Sequence, residues 1–172
     1  VKSELGQGTT FTVDLPFVIN RTPEKAVEAL ADAEECDICG MSILLVEDNE
    51  LNTEIAQTLL EHDGALVTTA ANGKEALELF QAKPAGAFDA ILMDVAMPKM
   101  DGLAATRAIR ALDRPDAASI PIIAMTGNAF QEDVRECLEA GMNAHIAKPI
   151  DAAKAERVIA KAMGRRENSV QQ

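Results

Sequence analysis

Short apolar runs recur along the chain from Ser42 onward, and turn residues separate them. Apolar residues at successive positions, rather than at alternate ones, are typical of strands covered on both faces, as in parallel sheets. On this basis we predict five strands: Ile43–Val46, Leu66–Thr69, Ala90–Met93, Ile120–Met125 and Ala144–Ala147.

Amphipathic stretches follow each of these runs, with apolar residues spaced three or four positions apart as on one face of a helix. The predicted buried stripes are Leu51, Ile55 and Leu59; Ala76, Leu77 and Phe80; Ala105, Ala108, Ile109 and Leu112; Phe130, Val134 and Leu138; and Ala155, Val158, Ile159 and Ala162. Strict alternation of strand and helix with short connections favours right-handed crossovers and a parallel sheet with helices on both faces. The sequence therefore predicts an α/β fold, a doubly wound (βα)₅ domain at residues 42–164.

The first 19 residues have the pattern of a β-hairpin. Apolar residues alternate at Phe11, Val13 and Leu15 after a Gly-Gln-Gly turn. Because an isolated two-stranded hairpin is marginally stable in water, residues 1–19 are expected to belong to a larger domain.

Residues 20–41 are predicted to form an acidic, partly helical linker, since a Thr-Pro-Glu helix start precedes several acidic residues. Cys36 and Cys39 have the spacing of metal ligands. With no second cysteine pair or histidine nearby, they cannot complete a tetrahedral zinc site, and the sequence assigns them no role. Residues 165–172 are predicted to be a disordered tail.

Net charge, hydropathy and cysteine content argue against several classes of protein. The chain has 16 Lys and Arg residues against 28 Asp and Glu, a net charge of −12, which repels nucleic-acid phosphates. No apolar run approaches the roughly 20 residues of a membrane span, and no signal-peptide pattern is present. Three cysteines do not form a disulfide framework. We expect a cytoplasmic segment without membrane contact, whose parent protein can itself be membrane-anchored.

Polar side chains with complementary chemistry follow four of the five predicted strands. Glu47 and Asp48 follow the first strand, Asp94 the third, Thr126 the fourth and Lys148 the fifth. The carboxyl ends of parallel strands meet at one edge, where open α/β folds bind ligands. Clustered oxygen ligands suit Mg²⁺. We therefore predict that Asp94 attacks a phosphorus atom while Mg²⁺ and Lys148 neutralise the developing charge.

These motifs resemble the receiver domain of two-component response regulators. The resemblance rests on Glu47-Asp48, Met93-Asp94-x-x-Met97-Pro98-x-Met100-Asp101-Gly102, Thr126 and Lys148-Pro149. It implies a flavodoxin-like fold with strand order 2-1-3-4-5. It also implies that Asp94 is the phospho-acceptor, with Thr126 bonding the phosphoryl group and Lys148 pairing with it. The implied Mg²⁺ ligands are Glu47, Asp48, Asp94 and the Ala96 carbonyl.

The resemblance further implies a cis Lys148–Pro149 bond and a conformational switch at Thr126 and His145. Receivers commonly carry, at the position of His145, an aromatic residue that swings inward when the threonine hydroxyl moves toward the phosphoryl group. The expected output is a change in the face formed by helix four, strand five and helix five. The alternative is that His145 is an exposed strand residue without a role.

Residues 1–19 resemble the last glycine box and final strands of the ATP-binding domain of sensor histidine kinases, through Ser3, Gly6, Gly8, Thr9, Thr10 and Phe11. With the Val-Glu-Asp-Asn-x-x-Asn form of residues 46–52, this indicates the receiver of a hybrid histidine kinase. The implied partners are a histidine-kinase phospho-donor domain and a histidine phosphotransfer protein, and a homodimer is possible. Neither His62 nor His145 has the context of a phospho-donor histidine, so self-phosphorylation from ATP is not expected.

Two other classes of protein compete with this interpretation. A hydrolase of the haloacid-dehalogenase type also uses an aspartate nucleophile with Mg²⁺, but it needs a second aspartate at position 96, which is alanine. An interaction-only pseudo-receiver would keep the fold but lose an acidic residue, the threonine or the lysine. All of these residues are present, so we favour a phospho-accepting receiver that catalyses its own phosphorylation and dephosphorylation.

Overall fold

The computed structural model describes residues 2–4, 8–10, 12, 38–127 and 131–167. The chain divides into two units, Val1–Glu34 and Glu35–Gln172. In the first unit, strands β1 (Lys2–Glu4) and β2 (Gly8–Thr10) pair antiparallel. This pairing is a hairpin, although the alternating residues Phe11, Val13 and Leu15 lie outside the described residues. Its assignment to a kinase domain stays a prediction.

The second unit is built on a five-stranded sheet in which all pairings are parallel. The strands are β3 (Ser42–Val46), β4 (Leu66–Ala70), β5 (Ala90–Asp94), β6 (Ile122–Thr126) and β7 (Ala144–Ala147). Their order, β4-β3-β5-β6-β7, is 2-1-3-4-5 when counted from β3, so the predicted topology is confirmed. β6 begins later than the predicted Ile120, after Pro121, which has no N–H to donate to a neighbouring strand.

Five helices connect and follow the strands: α1 (Glu50–His62), α2 (Gly73–Ala82), α3 (Gly102–Arg110), α4 (Gln131–Glu139) and α5 (Ala152–Glu167). Side chains of Asn49, Asn72 and Asp101 cap the first three helices by accepting a backbone N–H bond. α5 continues past the predicted domain end at residue 164, and the rest of the predicted tail lies outside the described residues. Among the described helices, none has the length and apolar character needed to cross a bilayer.

Both faces of the sheet are covered, as predicted for a doubly wound fold. On one face the strands pack against Phe80 of α2 and Ile109 of α3. On the other face they pack against Leu60 of α1 and Ile159 of α5. Between these layers, the apolar side chains of the central strands β3, β5 and β6, including that of Leu92, are fully buried. The sheet is therefore a rigid platform whose carboxyl edge carries the polar residues.

The predicted buried stripe of α1 is wrong. Leu51 and Ile55 are 64% and 48% exposed, and α1 instead buries Ala56 and Leu60. Both sets of residues recur every four positions, so spacing alone could not decide which one faces the sheet. For the same reason α4 exposes Leu138 and buries the neighbouring Cys137. Phe130, also assigned to that stripe, lies outside the described residues.

The folded unit extends N-terminal to the first strand of its sheet. Ile38, placed in the predicted linker, has no exposed surface and packs in the same cluster as Leu60 and Ile159. The Gly40 N–H donates to the Gly64 carbonyl at 2.8 Å. The end of the predicted linker is therefore anchored where the sheet begins. Cys39 in this segment is exposed, whereas Cys36 lies outside the described residues.

Candidate functional site

Four strand ends bring the predicted site residues together at the carboxyl edge of the sheet. Glu47 and Asp48 follow β3, and Asp94 ends β5. Asp94 lies beside Met125 in the register of β5 and β6, and Thr126 lies beside Ala147 in the register of β6 and β7. Lys148 follows β7 directly. The topology alone therefore makes these residues neighbours.

The Lys148 ammonium lies between two carboxylates. Its Nζ atom is 2.6 Å from Asp94 Oδ2 and 2.5 Å from Glu47 Oε2, and both carboxylates are nearly inaccessible to solvent. Burial disfavours the charged form of Lys148, but its hydrogen bonds to Asp94 and Glu47 outweigh this effect and raise the pKa of the ammonium. Lys148 is thus a fixed positive charge at the site.

The surroundings of Asp94 shift the pKa of its carboxyl group and fix the orientation of that group. Burial raises the pKa of its carboxyl group, and the hydrogen bond from Lys148 opposes that rise. The Ala96 backbone N–H donates to Asp94 Oδ1 at 3.2 Å, while Lys148 holds Oδ2. The carboxylate is therefore oriented through both oxygens, and its contact with Lys148 favours the ionised form.

Three carboxylates form a group with the chemistry of a magnesium site. One oxygen from each of Glu47, Asp48 and Asp94 can be chosen so that all lie within 4.8 Å of one another. Mg²⁺ prefers oxygen ligands and keeps several waters, so one exposed carboxylate, Asp48, beside two buried ones suits this ion. The residues present fit Mg²⁺.

A cavity of about 320 Å³ opens beside Asp94 and Thr126. Ala96 and Gly127 both line it, and a methyl group added at Gly127 would meet no atom within 4 Å. Glu136 of α4 lines the cavity as well, a residue that strand-end reasoning could not have identified. Asp94 is therefore reached through an open cavity with small residues on its wall.

The loop after Asp94 packs tightly against the end of β5. A Cβ atom built on Gly102 would lie 2.1 Å from the Asp94 carbonyl oxygen, and the Gly102 N–H donates to the Val95 carbonyl at 3.0 Å. Lys99 in the same loop adopts a left-handed backbone with φ 67°. The start of α3 thus approaches the end of β5 so closely that only glycine fits at position 102.

Other predictions concern the last strand. The Lys148–Pro149 bond is cis, as predicted. His145 is exposed on β7, while the following Ile146 is buried. Thr126 is buried beside the same cavity as Asp94. The proposed inward movement of His145 stays a prediction.

Exposed apolar groups surround one side of the site. Ile55 of α1 lines a small cavity of about 50 Å³ together with Lys148, Pro149 and Ile150. Leu51, one helical turn before Ile55, is also exposed. We call Leu51, Ile55, Pro149 and Ile150 the α1 patch. Helical spacing predicted that Leu51 and Ile55 face the core, so the sequence could not identify this surface.

Residues 43–160 match the response regulator receiver domain family, and the chain belongs to this family. It is 41% identical over 123 residues to the sensor protein GacS of Pseudomonas syringae pv. syringae, covering 71% of the chain and 13% of GacS. It is 36% identical over 164 residues to the aerobic respiration control sensor protein ArcB of Escherichia coli, covering 94% of the chain and 20% of ArcB. The chain therefore spans a fifth or less of the length of these relatives.

Solved structures of receiver domains share the fold. The receiver domain of sensor histidine kinase PA1611 from Pseudomonas aeruginosa PAO1 is 41% identical, with TM-score 0.65, covering 73% of this chain and 99% of that one. That structure has a magnesium ion coordinated in its active-site cleft. A second similar structure contains the receiver domain of Ssk1 and the histidine phosphotransfer protein Ypd1 of Saccharomyces cerevisiae. It is 27% identical, with TM-score 0.65, and the match covers 72% of this chain and 89% of that one.

Proposed function

We propose that Asp94 accepts a phosphoryl group from a phosphohistidine, as the receiver of a hybrid histidine kinase in a phosphorelay. The observation that carries this proposal is the position of Lys148 Nζ, within hydrogen-bond distance of both Asp94 and Glu47. A half-buried lysine held between two acids provides a charge where phosphoryl oxygens would develop theirs. The three neighbouring carboxylates support the same chemistry.

In the transfer step, an Asp94 carboxylate oxygen forms a bond to phosphorus while the bond from phosphorus to the histidine nitrogen breaks. The imidazole nitrogen keeps the electron pair of the broken bond. Lys148 leaves its ion pair with Asp94 to contact a phosphoryl oxygen, and the Thr126 hydroxyl contacts another. Mg²⁺, held by Glu47, Asp48, Asp94 and the Ala96 carbonyl, would supply further charge neutralisation. Each residue thus acts in transferring or stabilising the group.

Two alternatives have less support. A hydrolase of the haloacid-dehalogenase type lacks its second aspartate, because Ala96 occupies that position. A pseudo-receiver has no need to keep Lys148 ion-paired beside three carboxylates. The proposed function includes a cytoplasmic location. It also includes a conformational switch that begins at Thr126 and changes the α4-β7-α5 face, including His145.

The test is intact-mass spectrometry of the chain after incubation with acetyl phosphate and Mg²⁺. We expect one phosphate adduct in the native protein and none in Asp94→Asn, because an amide cannot act as the nucleophile. Asp89→Asn is the matched control, since Asp89 lies at the opposite edge of the sheet, where it accepts the Ser42 N–H. An adduct that survives Asp94→Asn would contradict the proposal.

We also propose that the α1 patch docks the helix that carries the phosphohistidine. The patch adjoins Lys148, so a partner seated on it would bring its imidazole to the site. The Ypd1 complex shows that one structural neighbour is a receiver bound to a histidine phosphotransfer protein. Exposed apolar side chains beside a charged pocket form the kind of central contact that dominates binding energy.

Ile55→Ser is expected to slow phosphoryl transfer to Asp94 by about tenfold. The donor in this assay is a phosphorylated histidine phosphotransfer domain that labels the native chain. Labelling by acetyl phosphate should be unchanged, because that small donor needs no docking surface. Leu66→Ser is the matched control, being a similarly exposed apolar residue at the amino end of edge strand β4. Equal transfer rates for Ile55→Ser and Leu66→Ser would remove the docking assignment.

A further inference from the structure

We infer that Asn52 is a positioning residue for the magnesium site, acting through Glu47; this inference rests on the proposed function. The Asn52 amide Nδ2 donates to Glu47 Oε1 at 3.1 Å, while Lys148 holds Glu47 Oε2. Because an amide oxygen would repel the carboxylate, the NH₂ group must face Glu47. Glu47 is therefore fixed from both sides by residues on two different elements.

The contact from Asn52 matters because Lys148 competes for the same carboxylate. Without a donor on Oε1, the Glu47 carboxylate is free to rotate and turn both oxygens toward the ammonium. The remaining contact at Oε1 is the Asn49 N–H at 3.4 Å, which is long for a hydrogen bond. Asn52 thus keeps one oxygen of Glu47 directed away from Lys148 and the carboxylate in place for a cation. Donors of this kind orient metal ligands in many sites.

The Asn52 side chain is not needed to hold α1 together. Its backbone N–H is already bonded to the Asn49 cap at 3.1 Å, independently of the side chain. Asn52 is exposed, and leucine has a higher helix propensity than asparagine. Replacing Asn52 by leucine should therefore leave the fold intact or slightly more stable. Loss of metal affinity without loss of stability distinguishes positioning from a structural role.

The experiment measures Mg²⁺ affinity by calorimetry on the unphosphorylated full chain, together with Tm. Asn52→Leu and Asn52→Ala are expected to weaken Mg²⁺ binding about tenfold, with Tm unchanged or higher. Gln57→Leu is the matched control: it removes another amide-to-glutamate bond on α1, from Gln57 Nε2 to Glu61 at 2.7 Å, which lies more than one turn further along the helix than Asn52. That variant should bind Mg²⁺ like the native chain.

Three results would overturn the inference: Mg²⁺ affinity unchanged in both Asn52 variants, affinity that falls only in proportion to Tm, or the same loss in Gln57→Leu. If the native chain binds no Mg²⁺ while folded, the proposed function itself fails. The two failures are thus told apart by the native measurement.

Discussion

Lys148→Ala is expected to slow the phosphorylation of Asp94 by about 10²–10³-fold, the loss typical of removing one preorganised charge from a phosphoryl or oxyanion site. Two effects combine. The phosphoryl oxygens lose their ammonium contact, and Asp94 loses the hydrogen bond that opposes the burial-driven rise of its pKa. Because the ionised carboxylate is the nucleophile, both changes act in the same direction.

The rate is followed by intact mass with acetyl phosphate at saturating Mg²⁺. Lys154→Ala, which removes the same charge from an exposed position on α5, should be phosphorylated like the native chain. Lys148→Ala also leaves Asp94 and Glu47 without their common counter-ion, so its folded state is checked by circular dichroism. A folded Lys148→Ala protein phosphorylated at the native rate would show that Lys148 has no part in the transfer.

Gly102→Ala is expected to destabilise the domain by about 1–3 kcal/mol and to abolish efficient phosphorylation. The added methyl group would lie 2.1 Å from the Asp94 carbonyl oxygen, a backbone atom, so the strand end or the start of α3 must shift. A displacement of about 1 Å at a reacting group can cost about a hundredfold in rate. The same change therefore affects both stability and chemistry.

Urea unfolding and the mass-adduct assay measure these two consequences. Gly127→Ala is the control, because its new methyl group meets open space, and it should unfold at nearly the native urea concentration. Native stability and native phosphorylation of Gly102→Ala would mean that the loop can relax without moving Asp94.

The strand ends could be predicted from the sequence because an apolar run that stops at a polar residue marks an edge of the sheet. Glu47, Asp94 and Lys148 were placed together on that basis, and the pairing of β3, β5, β6 and β7 brings them there. Such patterns locate residues along a strand, and the topology then determines which ends are neighbours.

Other features depend on which way a side chain points, and the spacing of residues in the sequence does not specify this direction. Leu51 and Ile55 repeat with the same period as Ala56 and Leu60, so periodicity could not say which pair faces the sheet. The bond from Asn52 to Glu47 depends on side-chain direction, which a motif does not specify. Ile38 was assigned to a linker because acidic residues surround it, yet its apolar side chain packs in the core and helps to anchor the segment.

The anchoring of Ile38 also fixes the point at which the N-terminal segment joins the sheet. The segment joins the fold where β3 and β4 begin, as the hydrogen bond from the Leu66 N–H to the Met41 carbonyl shows. Asp94 lies at the other end of the strands, about 16 Å away for five residues at roughly 3.3 Å each. The anchored residues and Asp94 therefore lie at opposite ends of the strands, so a molecule that reaches Asp94 from the carboxyl edge of the sheet need not displace Ile38.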